Sequence, residues 1–211
     1  MTGGNSLMAT VLGRESSFLA TDIASAEREI RAGVEGRRVL VVGGAGSIGR
    51  AFALAVLEYE PAALHLLDIS ENGLVEIVRQ LRASRAVLPD DFRTFAIDFT
   101  GPEMHALVAD IDYDFVLNFS ALKHVRSERD EFTLMRLLKV NVLGLHDLAR
   151  RLIDVNTPRR LFSVSSDKAV RPASLMGASK AMMERVLLQH ADEVPVSSAR
   201  FANVAFSDGS L

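Results

Sequence analysis

The stretch that most constrains this chain is Val39-Leu40-Val41-Val42 running into Gly43-Gly44-Ala45-Gly46-Ser47-Ile48-Gly49. The four apolar residues read as a short buried strand. Gly43, Gly46 and Gly49 follow with G-x-x-G-x-x-G spacing. The first glycine permits a tight turn, the second lets backbone approach a pyrophosphate, and the third lets the next helix sit close to the strand. A helix starting at Ser47 and Ile48 then aims free N–H groups and its positive dipole end at an anion. Outside a strand–loop–helix context the same glycines are only a flexible loop; here the context is present.

That unit opens a regular alternation. Apolar runs at 39–42, 63–67, 92–97, 115–118, 161–165 and 196–204 predict six strands. Between them, segments 47–58, 102–109 and 175–189 read as helices, and Leu74, Ile77, Val78 and Leu81 fall on one face of another. Leu134, Leu138, Val142, Leu145, Leu148 and Leu152 mark one further, long helix. Strands alternating with helices imply right-handed crossovers and a parallel sheet covered on both faces. The expected fold is α/β, a three-layer doubly wound Rossmann-like sheet of six strands. Residues 1–36 are expected to form an arm and a short helix, capped by Asp22 and running to Ile30. Residues 37–211 make the dinucleotide-binding domain.

Composition removes whole classes of function. The chain has 211 residues and a formal charge of −3, which offers no basic field for a nucleic-acid backbone. It contains no cysteine, so disulfides, thiolate catalysis and Cys-ligated metal are excluded, and no metal site is expected. The longest apolar run meets Arg50 after eleven residues, whereas a membrane-spanning helix needs about 20. Residues 1–10 carry no Lys or Arg, unlike a secretory signal. The expected location is cytoplasmic.

Several residues lie where such a sheet binds ligands. Asp68 ends the second strand, 19 residues after Gly49, where a carboxylate accepts ribose hydroxyls and repels a 2′-phosphate. It also fits a helix cap, and Arg50 leaves room for a phosphate partner. Asp98, with Phe99 beside it, ends the third strand near the adenine edge, or is a loop acid. At the fourth strand's end, Ser120 and Ala121 are small enough to let a nicotinamide ribose pass, and Lys123 and His124 follow. That basic pair reads equally as a solvated loop. The fifth strand ends in Ser165-Ser166-Asp167-Lys168, an acid beside a base, or ordinary turn chemistry. Met176 and Lys180 are four apart on one helix face; the methionine fits a core position, and Lys180 emerges beside the cofactor.

These segments, with Arg200-Phe201-Ala202-Asn203-Val204, resemble the extended short-chain dehydrogenase/reductases, specifically the polysaccharide-biosynthesis branch of nucleotide-sugar 4,6-dehydratases. The resemblance covers about 39–211. The wider family reads Tyr-x-x-x-Lys where this chain has Met176-x-x-x-Lys180. The only tyrosines, Tyr59 and Tyr113, do not precede a lysine by four. Relatives with Met there occur within the dehydratase branch.

The resemblance implies NAD(P), with NAD slightly favoured, and a UDP-sugar substrate, UDP-N-acetylglucosamine foremost, in surface polysaccharide or glycan biosynthesis. It implies oxidation at C4, elimination of water across C5 and C6, and hydride return to C6. Lys168 becomes the C5 base, Asp167 the acid for the C6 hydroxyl, and Ser166 the partner of the C4 oxygen. Lys180 holds the nicotinamide ribose, while Lys123 and Asn203 contact the sugar nucleotide. It also implies a homodimer or higher homo-oligomer through the two long helices. Family members continue past the Asn203 region into a substrate lobe, which is expected to be absent here. The alternatives are an epimerase or reductase on the same fold, or a non-catalytic cofactor-binding fragment.

Overall fold

The computed structural model describes residues 13, 19–84, 86–123, 130–155, 160–202 and 204. Helix α1 (Leu19–Val34) precedes a β/α alternation of β1 (Arg38–Val42), α2 (Ser47–Val56), β2 (Ala63–Asp68) and α3 (Glu71–Ala83). It continues through β3 (Asp91–Ala96), α4 (Pro102–Asp110), β4 (Phe115–Asn118) and α5 (Glu131–Leu138). A π-helical turn (Lys139–Leu143) leads into α6 (Gly144–Asp154), followed by β5 (Arg160–Ser166), α7 (Leu175–Gln189) and β6 (Val196–Phe201).

All six strands are parallel, in the order β3-β2-β1-β4-β5-β6. The order reverses between β1 and β4, so the connections leave in opposite directions and open a crevice beyond the carboxyl ends of those strands. β1 shows why its sequence is uniformly apolar. Leu40 and Val42 face a core shared with Leu145, Leu148, Met183 and Leu187, while Val39 and Val41 face another with Ala53, Ile77 and Leu81. A strand covered on both faces cannot alternate apolar with polar. The outer strands β3 and β6 are largely exposed or half-buried.

His65 is the polar exception within β2. It is fully buried, with Nδ1 2.8 Å from Tyr113 Oη and Nε2 3.0 Å from Asp91 Oδ1, so both ring nitrogens are satisfied. This network lies toward the amino ends of the strands, away from the crevice.

Three differences from the sequence reading have local causes. α1 begins three residues before Asp22 and has no buried residue. It is held by polar contacts: Arg31 pairs with Glu27 and Glu60, and Tyr59 Oη bonds Glu27. The segment read as one long helix is interrupted by the π-helical turn, where Gly144 N–H reaches back to Lys139 O. A Cβ on Gly144 would lie 2.5 Å from Thr100 Cγ2, so glycine lets this turn press against the loop after β3. β6 ends at Phe201 rather than 204.

Candidate active site

The glycine loop is built as its spacing requires. Gly43 has φ +79°, and a Cβ there would sit 2.6 Å from Ser120 N, so side chains are doubly excluded. A Cβ on Gly49 would overlap Gly43 O. Gly46 differs: a Cβ would meet only Gly43 O, at 3.4 Å, so the protein itself leaves that position open. Gly46 is the N-cap of α2 and makes no side-chain cap, so the first-turn N–H groups of Ser47 and Ile48 face a potential anion.

Asp68 closes this loop from β2. Its Oδ2 accepts Ala45 N–H at 3.0 Å and its Oδ1 accepts Ser70 N–H at 2.9 Å. Ser70, not Asp68, caps α3, through Gly73 N–H. Asp68 therefore stitches the glycine loop to the start of α3, and its carboxylate lines a cavity of about 210 Å³ with Gly43, Ile69, Asp98, Ser120 and Arg136. Phe99 and Ala121 line the same cavity.

Asp98 stands opposite. Its Oδ1 accepts both the N–H and the hydroxyl of Thr100, each at 2.9 Å. Burial pushes its carboxyl up, but the Thr100 bonds and the Arg136 and Lys139 cations outweigh that and hold it below the usual range. Arg50, the possible phosphate partner, is engaged elsewhere: it donates to Ala45 O at 3.2 Å and lies 3.8 Å from Glu76.

Across the β1/β4 switch, Asn118 at the end of β4 accepts Ser120 N–H and donates to Ser163 Oγ on β5. β5 delivers Ser166, followed by a 3₁₀ turn over Asp167–Ala169. Ser166 Oγ donates to Asp167 Oδ1 at 2.9 Å and accepts Lys168 N–H. Lys168 Nζ pairs with Asp167 Oδ1 at 3.4 Å, and both side chains are exposed. The Ser166 bond holds the Asp167 carboxyl low, burial works weakly against it, and Lys168 adds to the lowering.

Gly177 lets α7 approach this turn, because a Cβ would sit 2.7 Å from Lys168 O. Ser174 caps the helix through Gly177 N–H. Met176 and Lys180 are both buried. Lys180 Nζ does not emerge into the cavity but donates to Val164 O at 2.8 Å. Burial pushes this ammonium down to about 8.

The structure thus gathers Gly43, Gly46, Gly49, Asp68, Asp98, Ser120 and Ala121 at the carboxyl ends of β1 to β4. It places Ser166, Asp167 and Lys168 at the end of β5, with Met176 and Lys180 packed beneath. Lys123 is exposed, whereas His124 and Asn203 lie outside the described residues.

Two supporting residues escape a pattern reading. Asn141, buried in the π-helical turn, accepts Leu122 N–H, donates to Leu122 O and reaches Ser179 Oγ at 2.9 Å. It pins the loop after β4 to α7. Its signal was a lone amide in an apolar helical stripe, and π-turns gather at functional sites. Arg136, which lines the cavity beside Asp68 and Asp98, carried no signal beyond a charge on a helix.

Among the described residues no group of three His, Asp or Glu is placed to hold a metal, and no helix is long and apolar enough to cross a membrane. The chain is 29% identical to a UDP-N-acetylglucosamine 4,6-dehydratase (inverting) of Campylobacter jejuni, over 83% of this chain and 52% of that protein. It is 27% identical to a UDP-glucose 4-epimerase of Rickettsia bellii, over 83% and 51%. It therefore spans about half the length of these curated relatives. Among solved structures, Pen from Bacillus thuringiensis superposes with a TM-score of 0.73 at 24% identity, over 84% of this chain and 53% of that one; this likeness concerns the fold. The model of the polysaccharide biosynthesis protein family matches residues 39–211, and the chain belongs to that family.

Proposed function

We propose that this chain carries the NAD(P)-binding domain, residues 37–211, of a nucleotide-sugar-modifying enzyme. The specific activity proposed is 4,6-dehydration of UDP-N-acetylglucosamine. The observation that carries the reading is the adjacent acid and base, Asp167 and Lys168, held on Ser166 at the carboxyl end of β5, the same edge of the parallel sheet from which the glycine loop leaves β1.

The glycine loop fits a dinucleotide. Gly46 leaves the space that a pyrophosphate needs, and Asp68 holds a carboxylate at the adenosine end. With the Asp68 side chain there and Arg50 engaged by Ala45 and Glu76, NAD is favoured over NADP. When bound, the nicotinamide supplies the hydride acceptor and donor that a redox-neutral dehydration needs.

The protein's own residues divide the remaining work. Ser166 hydrogen-bonds the C4 oxygen. Lys180, whose ammonium donates to the Val164 carbonyl, would hold the nicotinamide ribose and supply positive charge that helps the C4 hydroxyl lose its proton. Lys168 takes the C5 proton, which a C4 ketone makes acidic. Asp167 gives a proton to the departing C6 hydroxyl. In the described arrangement Asp167 is ionised and paired with Lys168, so both roles require the substrate to cover the pair: desolvation favours the neutral forms, the proton passes from Lys168 to Asp167, and the amine left behind takes the C5 proton. Lys123 and Asn203 are assigned to the sugar nucleotide.

An epimerase is the second reading, favoured by the Rickettsia relative. C4 epimerisation needs no acid–base pair at C5 and C6, so Asp167 and Lys168 weigh toward elimination. The test is product mass after incubation with UDP-N-acetylglucosamine and NAD⁺. Dehydration removes one water, and Asp167→Asn and Lys168→Ala each stop it; a product of unchanged mass supports the epimerase instead. Binding of NAD without any binding of the nucleotide sugar, read by calorimetry, supports the non-catalytic fragment.

We also propose a homodimer or higher assembly through α5 and α7, which expose Phe132, Met135, Met182 and Leu188. Light scattering that gives a monomer mass at high concentration refutes it.

A further inference from the structure

Lys180 presents a problem of its own. It is only 4% exposed, and among the described residues its ammonium bonds a neutral carbonyl, Val164 O, and lies 3.7 Å from Met183 Sδ. A buried ammonium without a counter-charge is costly and tends to lose its proton. One turn further along α7, Glu184 is built as a junction. Its Oε1 accepts Ser165 Oγ at 2.6 Å and Arg200 Nε at 2.8 Å, and its Oε2 accepts Arg200 Nη2 at 2.7 Å. The bidentate pair joins α7 to β6, and the Ser165 bond joins it to β5 one residue before Ser166.

The charged groups around Lys180 can be taken element by element. On α7 there is Glu184; on β6, Arg200, spent on Glu184; on the turn after β5, Asp167 and Lys168, paired with each other. The π-helical turn presents the neutral Asn141 to Ser179. Glu184 is the charge that acts on Lys180, raising its proton affinity against the burial that lowers it. Arg200 keeps Glu184 ionised, overcoming the burial that opposes it, with help from Ser165.

We propose that Glu184 is a positioning residue of the active site: its carboxylate, oriented by Arg200 and Ser165, is the counter-charge for the buried Lys180 ammonium and fixes the end of β5 against β6. The role given to Lys180 rests on the functional reading above, but the electrostatic claim stands apart from it.

The decisive experiment titrates Lys180 in the full chain by NMR, with ¹³Cε-labelled lysine and assignment from Lys180→Arg. In Glu184→Gln, which keeps the shape and an acceptor for Ser165, the Lys180 midpoint falls by about half a unit or more, roughly threefold in proton affinity. A merely structural role predicts the opposite sign, because a loosened, wetter site raises the midpoint toward that of free lysine. Glu184→Asp keeps the charge but withdraws it by one methylene. It produces a smaller fall and serves where the Gln variant does not fold. An unchanged or raised midpoint in either variant overturns the proposal. If the midpoint falls and the alkaline limit of keto-sugar formation moves down with it, both readings stand. If it falls in a chain that makes no keto-sugar, the Glu184 assignment holds and the dehydratase reading fails.

Discussion

The two halves of the crevice are finished to different degrees. At the glycine-loop end, Asp68 is fixed by two backbone N–H groups, Asp98 by Thr100, and Gly43 and Gly49 by contacts that leave no room for a Cβ. At the β5 end, Asp167 and Lys168 are exposed and paired at 3.4 Å, with Ser166 Oγ donating to Asp167. Behind them stand Lys180 on Val164 O, Asn141 on Leu122 and Ser179, and Glu184 on Ser165 and the exposed Arg200. A site that grips a common nucleotide can be preformed. The proposed acid–base pair must meet a substrate that alters its solvation, and it stands exposed on a buried frame.

The contrast predicts separable effects. Asp167→Asn and Lys168→Ala each lower turnover by about 10²–10⁴-fold while leaving NAD affinity within about threefold of the parent, read by calorimetry beside product formation. Asp68→Ala does the reverse. It removes a charged acceptor from two backbone donors and weakens NAD about tenfold or more, with a smaller loss for NADP; equal losses for both cofactors remove Asp68 from the ribose site. Gly49→Ala places a methyl against Gly43 O and costs about 1–3 kcal/mol, seen as a lower thermal midpoint and weaker NAD binding together.

The smallest effect lies at neither end. His65 is held below its ordinary value chiefly by burial, with Asp91 pulling the other way. The unfolded chain therefore binds the proton more readily, and stability is lost as pH falls through about 6.5 toward the folded value. Asp91 is held low mainly by its bond to His65, so its contribution is also lost on acidification, at lower pH. His65→Gln flattens the fall of the thermal midpoint between pH 7 and 6 without changing NAD affinity at pH 7.

The difference between the halves also explains what could be read from the sequence. The glycine-loop end is local: strand, glycine loop, helix start and the next strand's terminal acid lie within 39–68, and their spacing alone predicts the geometry. The parallel doubly wound sheet followed from the alternation, and Phe115–Asn118 and Leu175–Gln189 have the bounds expected. The β5 end is non-local. Asn141 reaches its partners across 19 and 38 residues, and Glu184 reaches Ser165 and Arg200 across 19 and 16. No periodicity encodes such pairings. The apolar stripe from Leu134 to Leu152 even concealed the π-helical turn, because a single extra residue per turn barely disturbs the pattern. Lys180 was expected to emerge beside the cofactor; helical spacing gives a face but not how far a long side chain is drawn inward.

The central claim is that Asp167 and Lys168 carry out an elimination whose hydride starts and ends on the same sugar. It is tested most directly with UDP-N-acetylglucosamine deuterated at C4, incubated with the protein and unlabelled NAD⁺. The account predicts a product lighter by one water with the deuterium recovered at C6, and no such product from Lys168→Ala. Deuterium returned to C4 of a sugar of unchanged mass would contradict it.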